Sequence, residues 1–336
     1  MSTLLLLELT FACVLVSAAT TGLVLLWLRH RQILDHPNGR SSHDRPTPRG
    51  GGLAVVPIVA LCWVALSVLD IVPLLTLAAV AAAVGLAVLS WRDDRASLPI
   101  RIRLAGQVVA VAIGVAFLPG SGHVFQGLLP EWADMLVTGL LWVWFVNLFN
   151  FMDGIDGITA SETVTIGLGV ALIAIAASDF ESGAVLLGLS IAAAALGFLA
   201  WNWHPAKLFL GDVGSIPLGF LLGWLLLGLA GTGSWAPALI LPLYYLVDAT
   251  LTLLRRAARF ERVWHAHREH FYQRAVQAGL GHGAVVLRIL GANLVLIGLA
   301  VLGLAWPWVA TILAVAVVAA LLWELGRRNT AAAPLV

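Results

Sequence analysis

Residues 3–28 read TLLLLELTFACVLVSAATTGLVLLWL, an apolar run that holds a single charged side chain, Glu8. A helix that crosses a bilayer needs about 20 mostly apolar residues, so this run predicts a membrane-spanning helix. The positive side chains Arg29 and Arg31 follow the run. A cleaved signal peptide carries its positive charges before the apolar stretch. We therefore expect residues 3–28 to remain in the protein as a first span.

Similar runs continue along the whole chain. Of the 336 residues, 60% are apolar and 11% are charged, whereas soluble domains have about 25% charged residues. The sequence therefore predicts an all-α, polytopic integral membrane protein with about eleven spans, forming a single domain over residues 1–336. The ten further candidate spans are 53–69, 72–90, 104–118, 135–151, 161–178, 183–201, 216–230, 235–254, 286–305 and 308–326.

The basic residues are distributed unevenly between the predicted loops. All of the 19 Lys and Arg residues except Arg288 lie in alternate loops or in the C-terminal tail. Positively charged loops stay in the cytoplasm, so we expect the N-terminus outside and the C-terminus inside. The loops on the predicted cytoplasmic side are 29–52, 91–103, 150–160, 202–215 and 255–285. Any chemistry should occur at this face.

Net charge and cysteine content argue against nucleic-acid binding and against disulfide or cysteine–metal sites. The formal net charge is +1, which gives no electrostatic support for a nucleic-acid partner. Cys13 and Cys62, the two cysteines, both lie inside apolar runs. Their positions give neither a disulfide framework nor a metal-binding spacing, so we interpret them as small apolar side chains.

Carboxylates and amides collect where predicted spans reach the cytoplasmic side. Asp93 and Asp94 are adjacent at one span end, and Asn147, Asn150 and Asp153 follow at i, i+3 and i+6 at another. That spacing predicts one shared helix face. Polar groups at a span end need one another, water or a ligand. For Asp93 and Asp94 the alternatives are a charged helix end and a phosphate or Mg²⁺ site, and the site is favoured. For the segment from Asn147 the alternative to a ligand site is a helix terminus lined by water.

The segment FLGDVGS at residues 209–215 places Asp212 between two glycines and Ser215 at a predicted helix start. Backbone N–H groups at a helix start can face an anion. Taken alone, the segment could be an ordinary turn with an N-cap. Its position beside the other acids favours a site for a cation-linked phosphate.

Two loops are rich in basic residues. Residues 264–274 hold three histidines and two arginines, and residues 40–49 hold three arginines. The first cluster lacks the partners and spacing of a zinc site, so we favour pyrophosphate binding there. The second cluster either serves only to keep its loop in the cytoplasm, as positively charged loops do, or binds an anion. We interpret His36, His43 and His282 as loop residues, and we assign no role to His123, which lies on the predicted outer side.

These segments together resemble the polyprenyl-phosphate N-acetylhexosamine-1-phosphate transferases, a membrane family that includes phospho-MurNAc-pentapeptide translocase. The form of the first and last motifs is most similar to the branch that primes O-antigen and related surface polysaccharides. The matching segments are PNGRSSHDRPTPRGGG (37–52), Asp93-Asp94, NLFNFMDGIDG (147–157), FLGDVGS (209–215) and HAHREHFYQR (265–274).

The resemblance implies transfer of a sugar-1-phosphate from a cytosolic UDP-N-acetyl sugar to undecaprenyl phosphate, with release of UMP. It implies Mg²⁺ as cofactor, with Mn²⁺ as a substitute, in a bacterial inner membrane, and a membrane homodimer would fit the family. It assigns Asp212 to the metal, and Asp93 and Asp94 either to the metal or to deprotonation of the lipid phosphate.

The resemblance also implies the remaining site residues. The further catalytic candidates are Asp153, Asp156, His267 and His270. The substrate-binding candidates are Arg45, Arg49, Arg101, Arg103, Asn147, Asn150, Asn202, Phe209, His265 and Arg268. Among these, Phe209 corresponds to an aromatic residue that packs on uracil, and Asn202 to a polar residue beside it.

The chain departs from the translocase in two ways. The three adjacent histidines of the translocase are spread here over residues 265–270. Its Lys after the acidic pair has no counterpart, so Arg101 or Arg103 must serve, and an Arg binds phosphate as a fork and not as a point charge. Phospho-MurNAc-pentapeptide transfer is therefore an alternative and not the first choice.

Two further alternatives belong to other functional classes. A transporter would carry acids at mid-membrane within broken spans. Here Asp248, Glu162, Glu8 and Glu324 lie within or near spans, and none has an obvious intramembrane basic partner. A CDP-alcohol phosphotransferase would gather its acids in one run, but here they are distributed over several loops.

Overall fold

The computed structural model describes residues 3–37, 45–118, 123–177, 182–263, 265 and 267–331. Within these ranges, thirteen helices and two short strands form. The helices are α1 (Thr3–His30), α2 (Gly52–Val68), α3 (Thr76–Ala96), α4 (Ile100–Ala116), α5 (Glu131–Phe151), α6 (Ile158–Ala176), α7 (Ser182–Asn202), α8 (Asp212–Gly231), α9 (Trp235–Ile240), α10 (Leu243–Ala258), α11 (Phe271–Gln277), α12 (His282–Leu302) and α13 (Pro307–Ala331). The antiparallel strands are β1 (Leu34–Asp35) and β2 (Thr47–Pro48).

The prediction of an all-α, polytopic membrane protein is confirmed. In the described part of the chain, eight helices are long and apolar enough to cross a membrane, and α2 is a shorter apolar helix. Each of the eleven predicted runs overlaps helix. The number of spans and their orientation stay predictions. Residues 38–44 of the first predicted loop, with Arg40 and His43, lie outside the described residues.

One predicted span is not continuous. Residues 235–254 were expected to form a single helix, but α9 ends at Ile240 and α10 begins at Leu243. The break occurs at Pro242, which has no backbone N–H to donate to the preceding turn.

Helix α8 lies at the centre of the bundle. It is buried along nearly its whole length and packs against α2, α3, α5, α6 and α9. Trp142 of α5 stacks on Phe220 of α8 with ring centroids 4.7 Å apart, and its Nε1 donates to the Phe220 carbonyl at 3.1 Å. Because α8 is central, its first turn lies where loops from several neighbouring helices meet.

The acids within the apolar helices have polar partners. Arg288 Nε of α12 lies 2.8 Å from Glu324 Oε1 of α13, and His270 contacts Asp248. Glu162 accepts a hydrogen bond from Asn293 at 2.6 Å. The expectation that these acids have no intramembrane basic partner was wrong for Glu324, because Arg288 of α12 pairs with it. The partner of Asp248, His270, precedes α11 in a predicted cytoplasmic loop.

Candidate functional site

The first long loop and the segment before α8 are joined through their backbones. Gly50 and Gly51 donate N–H groups to the Phe209 carbonyl at 3.1 and 2.8 Å, and Gly52 donates to Leu210 at 2.9 Å. A Cβ at Gly52 would lie 2.3 Å from the Cα of Gly214. Only glycine permits so close an approach, and the contact fixes residues 49–52 against the start of α8.

The N-terminus of α8 holds the carboxylate of Asp94. The backbone N–H groups of Asp212 and Val213 donate to its two oxygens at 3.4 and 3.1 Å. The first N–H groups of a helix have no partner within the helix, and the helix dipole favours a negative charge there. The sequence predicted an anion at this helix start, and the structure places a carboxylate of the protein there.

Arg49 lies between two carboxylates. Its Nη2 is 3.0 Å from Asp94 Oδ1 and 2.5 Å from Asp212 Oδ1. Two carboxylates thus converge on one cationic position, although α3 and α8 supply them from distant parts of the sequence. Arg49 is only partly exposed, so the electrostatic interaction is stronger than for a pair in open solvent.

The two asparagines at the end of α5 have different partners. Asn150 donates from Nδ2 to Asp212 Oδ1 at 3.1 Å and to Ser215 Oγ at 2.9 Å. Asn147 donates to Gln107 Oε1 of α4 at 2.7 Å. The structure therefore brings Asn150 to the Asp94–Arg49–Asp212 group, which we call the carboxylate cluster, while Asn147 joins α5 to α4.

Asp93 faces a different partner from Asp94. Its Oδ1 accepts from the Leu98 N–H at 2.6 Å, and its Oδ2 lies 3.0 Å from Arg103 Nη1. Asp93, Arg103 and the carboxylate cluster line one cavity of about 300 Å³. Arg101, the other basic candidate, is exposed and is not among the residues lining the cavity. The geometry therefore favours Arg103 over Arg101 as the basic residue near the acidic pair.

Asp153 follows the end of α5. Burial raises the pKa of its carboxyl to about 7, against the opposing effects of a Thr159 hydrogen bond and the Arg49 charge. The charges of Asp212 and Asp94 also raise this pKa, so Asp153 lies close enough to the carboxylate cluster for an electrostatic effect. A carboxyl with a pKa near neutrality can gain or lose a proton at physiological pH.

Asp156 is held by two histidines. Its Oδ2 lies 2.7 Å from His204 Nδ1 and 3.3 Å from His282 Nδ1, and it accepts from the Ala206 N–H at 3.1 Å. Burial raises the pKa of Asp156, but the hydrogen bonds from His282 and His204 lower it overall. The ligand atoms of these three side chains lie within 4.8 Å of one another, so the group could also hold a metal ion.

Sequence reasoning missed both histidines. His282 was expected to be a loop residue, but it is the buried first residue of α12, and His204 was not considered. The available signal was that both fall in predicted cytoplasmic loops with Asp156. It was too weak because 48 and 126 residues separate them from Asp156.

Asn202 connects two loops. It is buried, its Oδ1 accepts from the Gly157 N–H at 3.0 Å, and its Nδ2 donates to the Leu208 carbonyl at 3.0 Å. Both ends of the amide are thus used within the protein. Phe209 is partly buried. Arg45 precedes β2, is exposed, and does not line the cavity at the carboxylate cluster.

The His loop, residues 265–270, is attached to α10 by a buried carboxylate. Asp248 Oδ1 lies 3.2 Å from His270 Nδ1 and accepts from the Phe271 N–H at 3.1 Å. Its other oxygen accepts from Tyr244 at 3.0 Å. His270 is itself buried. The structure therefore gives His270 a protein partner, and this contact holds the start of α11.

The other members of the His loop are less buried. Burial lowers the pKa of His267 to about 4, and the nearby His270 and Arg256 lower it further, so His267 is neutral at pH 7. His265 is exposed, and Arg268 is partly buried. A neutral His267 can donate or accept a hydrogen bond, but it does not add positive charge for a pyrophosphate.

Comparison with known proteins shows a consistent group of relatives. The sequence pattern described as "Glycosyl transferase family 4" matches residues 51–230. The chain is 32% identical over 292 residues to the decaprenyl-phosphate N-acetylglucosaminephosphotransferase of Mycolicibacterium smegmatis, covering 76% of this chain and 71% of the relative. It is 31% identical over 272 residues to a probable undecaprenyl-phosphate N-acetylglucosaminyl 1-phosphate transferase of Bacillus subtilis, covering 76% and 73%.

A more limited similarity reaches a peptidoglycan enzyme. The phospho-N-acetylmuramoyl-pentapeptide-transferase of Moorella thermoacetica is 36% identical over 134 residues, covering 37% of this chain and 42% of the relative. The similarity to the two N-acetylglucosamine phosphotransferases extends over about twice as much of the chain.

Proposed function

Since the chain belongs to glycosyl transferase family 4, we propose that it transfers N-acetylhexosamine-1-phosphate from a UDP-sugar to a polyprenyl phosphate and releases UMP. In this reaction an oxygen of the lipid phosphate forms a bond to the sugar-bearing phosphorus, and the bond from that phosphorus to the UMP oxygen breaks. The product is a polyprenyl-pyrophosphoryl sugar, the first lipid-linked intermediate of O-antigen or another surface polysaccharide.

The observation that carries this proposal is the convergence of Asp94 and Asp212 on Arg49. A membrane enzyme that joins a soluble pyrophosphate to a lipid phosphate must gather negative charge at one place. The carboxylate cluster provides carboxylate oxygens for a divalent cation, and Arg49 and Arg103 provide guanidinium groups for phosphate oxygens.

The donor set fits Mg²⁺. Mg²⁺ takes hard oxygen ligands and is commonly held by one or two carboxylates together with substrate phosphates. Asp94 and Asp212 would hold it, because their oxygens already share one cationic partner. Mn²⁺ suits the same ligands. When bound, the metal would supply charge neutralisation for the pyrophosphate and the departing UMP.

The protein's own residues would orient the reactants. Asn150 fixes the position of the Asp212 carboxylate, and the Asp93 contact holds Arg103 at the cavity. Displacement of Arg49 from the carboxylates would release its guanidinium for a phosphate oxygen. Asp153 is the group suited to accept a proton from the lipid phosphate near neutral pH, because its pKa is about 7.

The names of the relatives support N-acetylglucosamine as the first donor sugar to test. We further propose an inner-membrane location with the carboxylate cluster at the cytoplasmic face, because the predicted cytoplasmic loops carry the basic residues. Phospho-MurNAc-pentapeptide transfer is less favoured, since the similarity to such an enzyme covers a smaller part of the chain.

The test uses purified protein with undecaprenyl phosphate, Mg²⁺ and a panel of UDP-N-acetyl sugars, and it measures UMP release. We expect lipid-dependent release with one sugar, abolished by EDTA. Asp212→Asn should abolish it as well. The exposed acid Glu131 lies at the other end of α5, so Glu131→Gln is the matched control and should retain activity.

Two results would contradict the proposal. One is the absence of UMP release with every donor from protein that elutes as a single folded species. The other is an Asp212→Asn variant that is as active as the Glu131→Gln control, because the carboxylate cluster could not then be the reaction centre.

A further inference from the structure

A second cavity lies apart from the carboxylate cluster, between α10, α11 and α13. It has a volume of about 530 Å³, and its lining shares no residue with the cavity at the α8 N-terminus. Its walls consist of apolar side chains and three arginines, Arg255, Arg274 and Arg327. No carboxylate occurs among the described residues that line it.

The lining is arranged with one apolar end and one basic end. On α10, Val247 and Leu251 precede Arg255 at intervals of four residues, so the three share one helix face. On α13, the lining begins at Val315 and ends at Arg327. At 1.5 Å per residue this second stripe is about 18 Å long, close to the depth of one leaflet of a bilayer whose hydrocarbon core is about 30 Å thick.

The basic ends of the stripes meet. The Arg255 guanidinium lies 4.7 Å from the ring centroid of Phe271, and a Cβ at Gly326 would lie 3.6 Å from that same ring. Arg327 follows Gly326 and lies over Trp323 at 4.1 Å. Arg255 and Arg327 therefore lie near one another at one end of the groove, and Arg274 is the third arginine of its lining.

The groove borders exposed apolar surface. Leu254 of α10 is 61% exposed and Trp323 of α13 is 63% exposed. Both are large apolar side chains in helices of a membrane protein. Apolar surface of this kind contacts lipid chains, and basic pockets between membrane helices bind anionic headgroups. An occupant must therefore combine an anionic headgroup with a hydrocarbon chain.

We propose that this groove binds one anionic phospholipid of the surrounding bilayer. Its phosphate contacts Arg255, Arg274 and Arg327, and an acyl chain lies along the apolar faces of α10 and α13. The leaflet-length stripe fits an acyl chain better than the much longer chain of a decaprenyl or undecaprenyl phosphate. The bound lipid would hold α13 against α10 and α11, next to the His loop.

The test measures lipid binding by native mass spectrometry of the purified full-length protein. Phosphatidylglycerol and phosphatidylcholine with identical acyl chains are titrated separately. We expect one phosphatidylglycerol to bind more tightly than phosphatidylcholine. An arginine near an anionic headgroup contributes on the order of fivefold in affinity, so Arg255→Gln/Arg327→Gln should weaken phosphatidylglycerol binding by roughly 25-fold.

The matched control is Arg29→Gln/Arg31→Gln, which removes two exposed arginines at the loop end of α1 and should leave the affinity unchanged. A second variant keeps every charge: Ala319→Trp places a large ring in the apolar part of the groove at an exposed position. It should weaken phosphatidylglycerol binding while the protein still elutes as a single folded species.

Three results would overturn the proposal: equal binding of the two phospholipids, unchanged binding by both groove variants, or displacement of phosphatidylglycerol by undecaprenyl phosphate. If the third result were accompanied by a higher KM for the lipid acceptor in Arg255→Gln/Arg327→Gln, the groove would be the acceptor site instead. The binding readout needs no turnover, so it is independent of the proposed transferase reaction.

Discussion

The carboxylate cluster and the His loop each depend on a buried or partly buried carboxylate, but the partners of these carboxylates differ. At the cluster, Arg49 bridges Asp94 and Asp212 beside an open cavity. At the His loop, the buried Asp248 accepts hydrogen bonds from His270, Phe271, Tyr244 and Thr252. The cluster can exchange its partners for a ligand, whereas the carboxylate under the His loop is saturated by the protein.

The difference separates two roles that the sequence could not distinguish. Both segments contain charged side chains in loops at the ends of helices, and both were expected to bind phosphate groups. In the proposed reaction the cluster would meet the reactants, while Asp248 and His270 hold the start of α11 through their contact. Substitutions in the two regions should therefore change different measured quantities.

The largest expected effect distinguishes the adjacent acids of α3. Asp94→Asn should lower UMP release by roughly 10³-fold, because in the proposed reaction Asp94 would hold the cation. Asp93→Asn should lower it by only about tenfold, because Asp93 acts through Arg103. Steady-state rates at saturating donor and acceptor would test this. Equal losses in the two variants would contradict the assignment.

Substitution of Asp248, the α10 carboxylate that contacts the His loop, should lower the stability of the protein. Asp248→Ala leaves His270 and Tyr244 without their buried acceptor and should cost about 3 kcal/mol in free energy of unfolding. The measurement is Tm in detergent for the variant and the wild-type protein. If Tm were unchanged while UMP release disappeared, Asp248 would belong to the reaction centre and not to the support of the loop.

A smaller effect should appear in the pH dependence of stability. Burial raises the pKa of Asp153 to about 7, well above its value of about 3.9 in an unfolded chain. Between these two values the folded state binds the extra proton, so this group's stabilising contribution is present at low pH and is lost as pH rises toward and through about 7.

Asp153→Asn removes this titration. The difference in Tm between variant and wild type should therefore increase from about pH 5 to about pH 8, in favour of the variant. The comparison is made in EDTA so that no cation contributes. Parallel Tm profiles over that range would show that Asp153 does not titrate as the structure indicates.

The smallest effect is expected at the outer edge of the His loop. Arg259 pairs with Glu261 at 2.9 Å and with Glu269, but its side chain is exposed. Exposed ion pairs contribute little because water and salt screen them. Arg259→Gln should leave Tm within about 1 °C and UMP release unchanged. A large effect of this substitution would contradict the expectation that the exposed Arg259 pairs matter less to stability than the buried contact between Asp248 and His270.

The sequence predicted the helical membrane fold because apolar runs of spanning length are a direct physical signal. It did not predict the break at Pro242, since the apolar run continues across it. The start of α8 was also expected a few residues late, with Ser215 as the helix start and the candidate span from residue 216, because Asp212 and Gly214 are not apolar. Hydropathy reports burial, and the caps of helices follow other rules.

The site was harder to predict than the fold because its contacts join distant segments. The motifs identified Asp94 and Asp212, but the choice of Asp94 over Asp93 depends on which way each carboxylate points at the end of α3. His204 and His282 lie far from Asp156 in sequence. No periodicity connects them, and the packing of α7 and α12 against α6 brings them together.

The approach of Gly52 to Gly214 has a consequence for how the protein can vary. The spacing between the first long loop and α8 is set by two main chains with no side chain between them. Replacing either glycine with even the smallest side chain would separate Arg49 from Asp212, although neither glycine touches them. A substitution at either glycine would therefore change the cavity by shifting a whole loop, without altering any side chain that lines it.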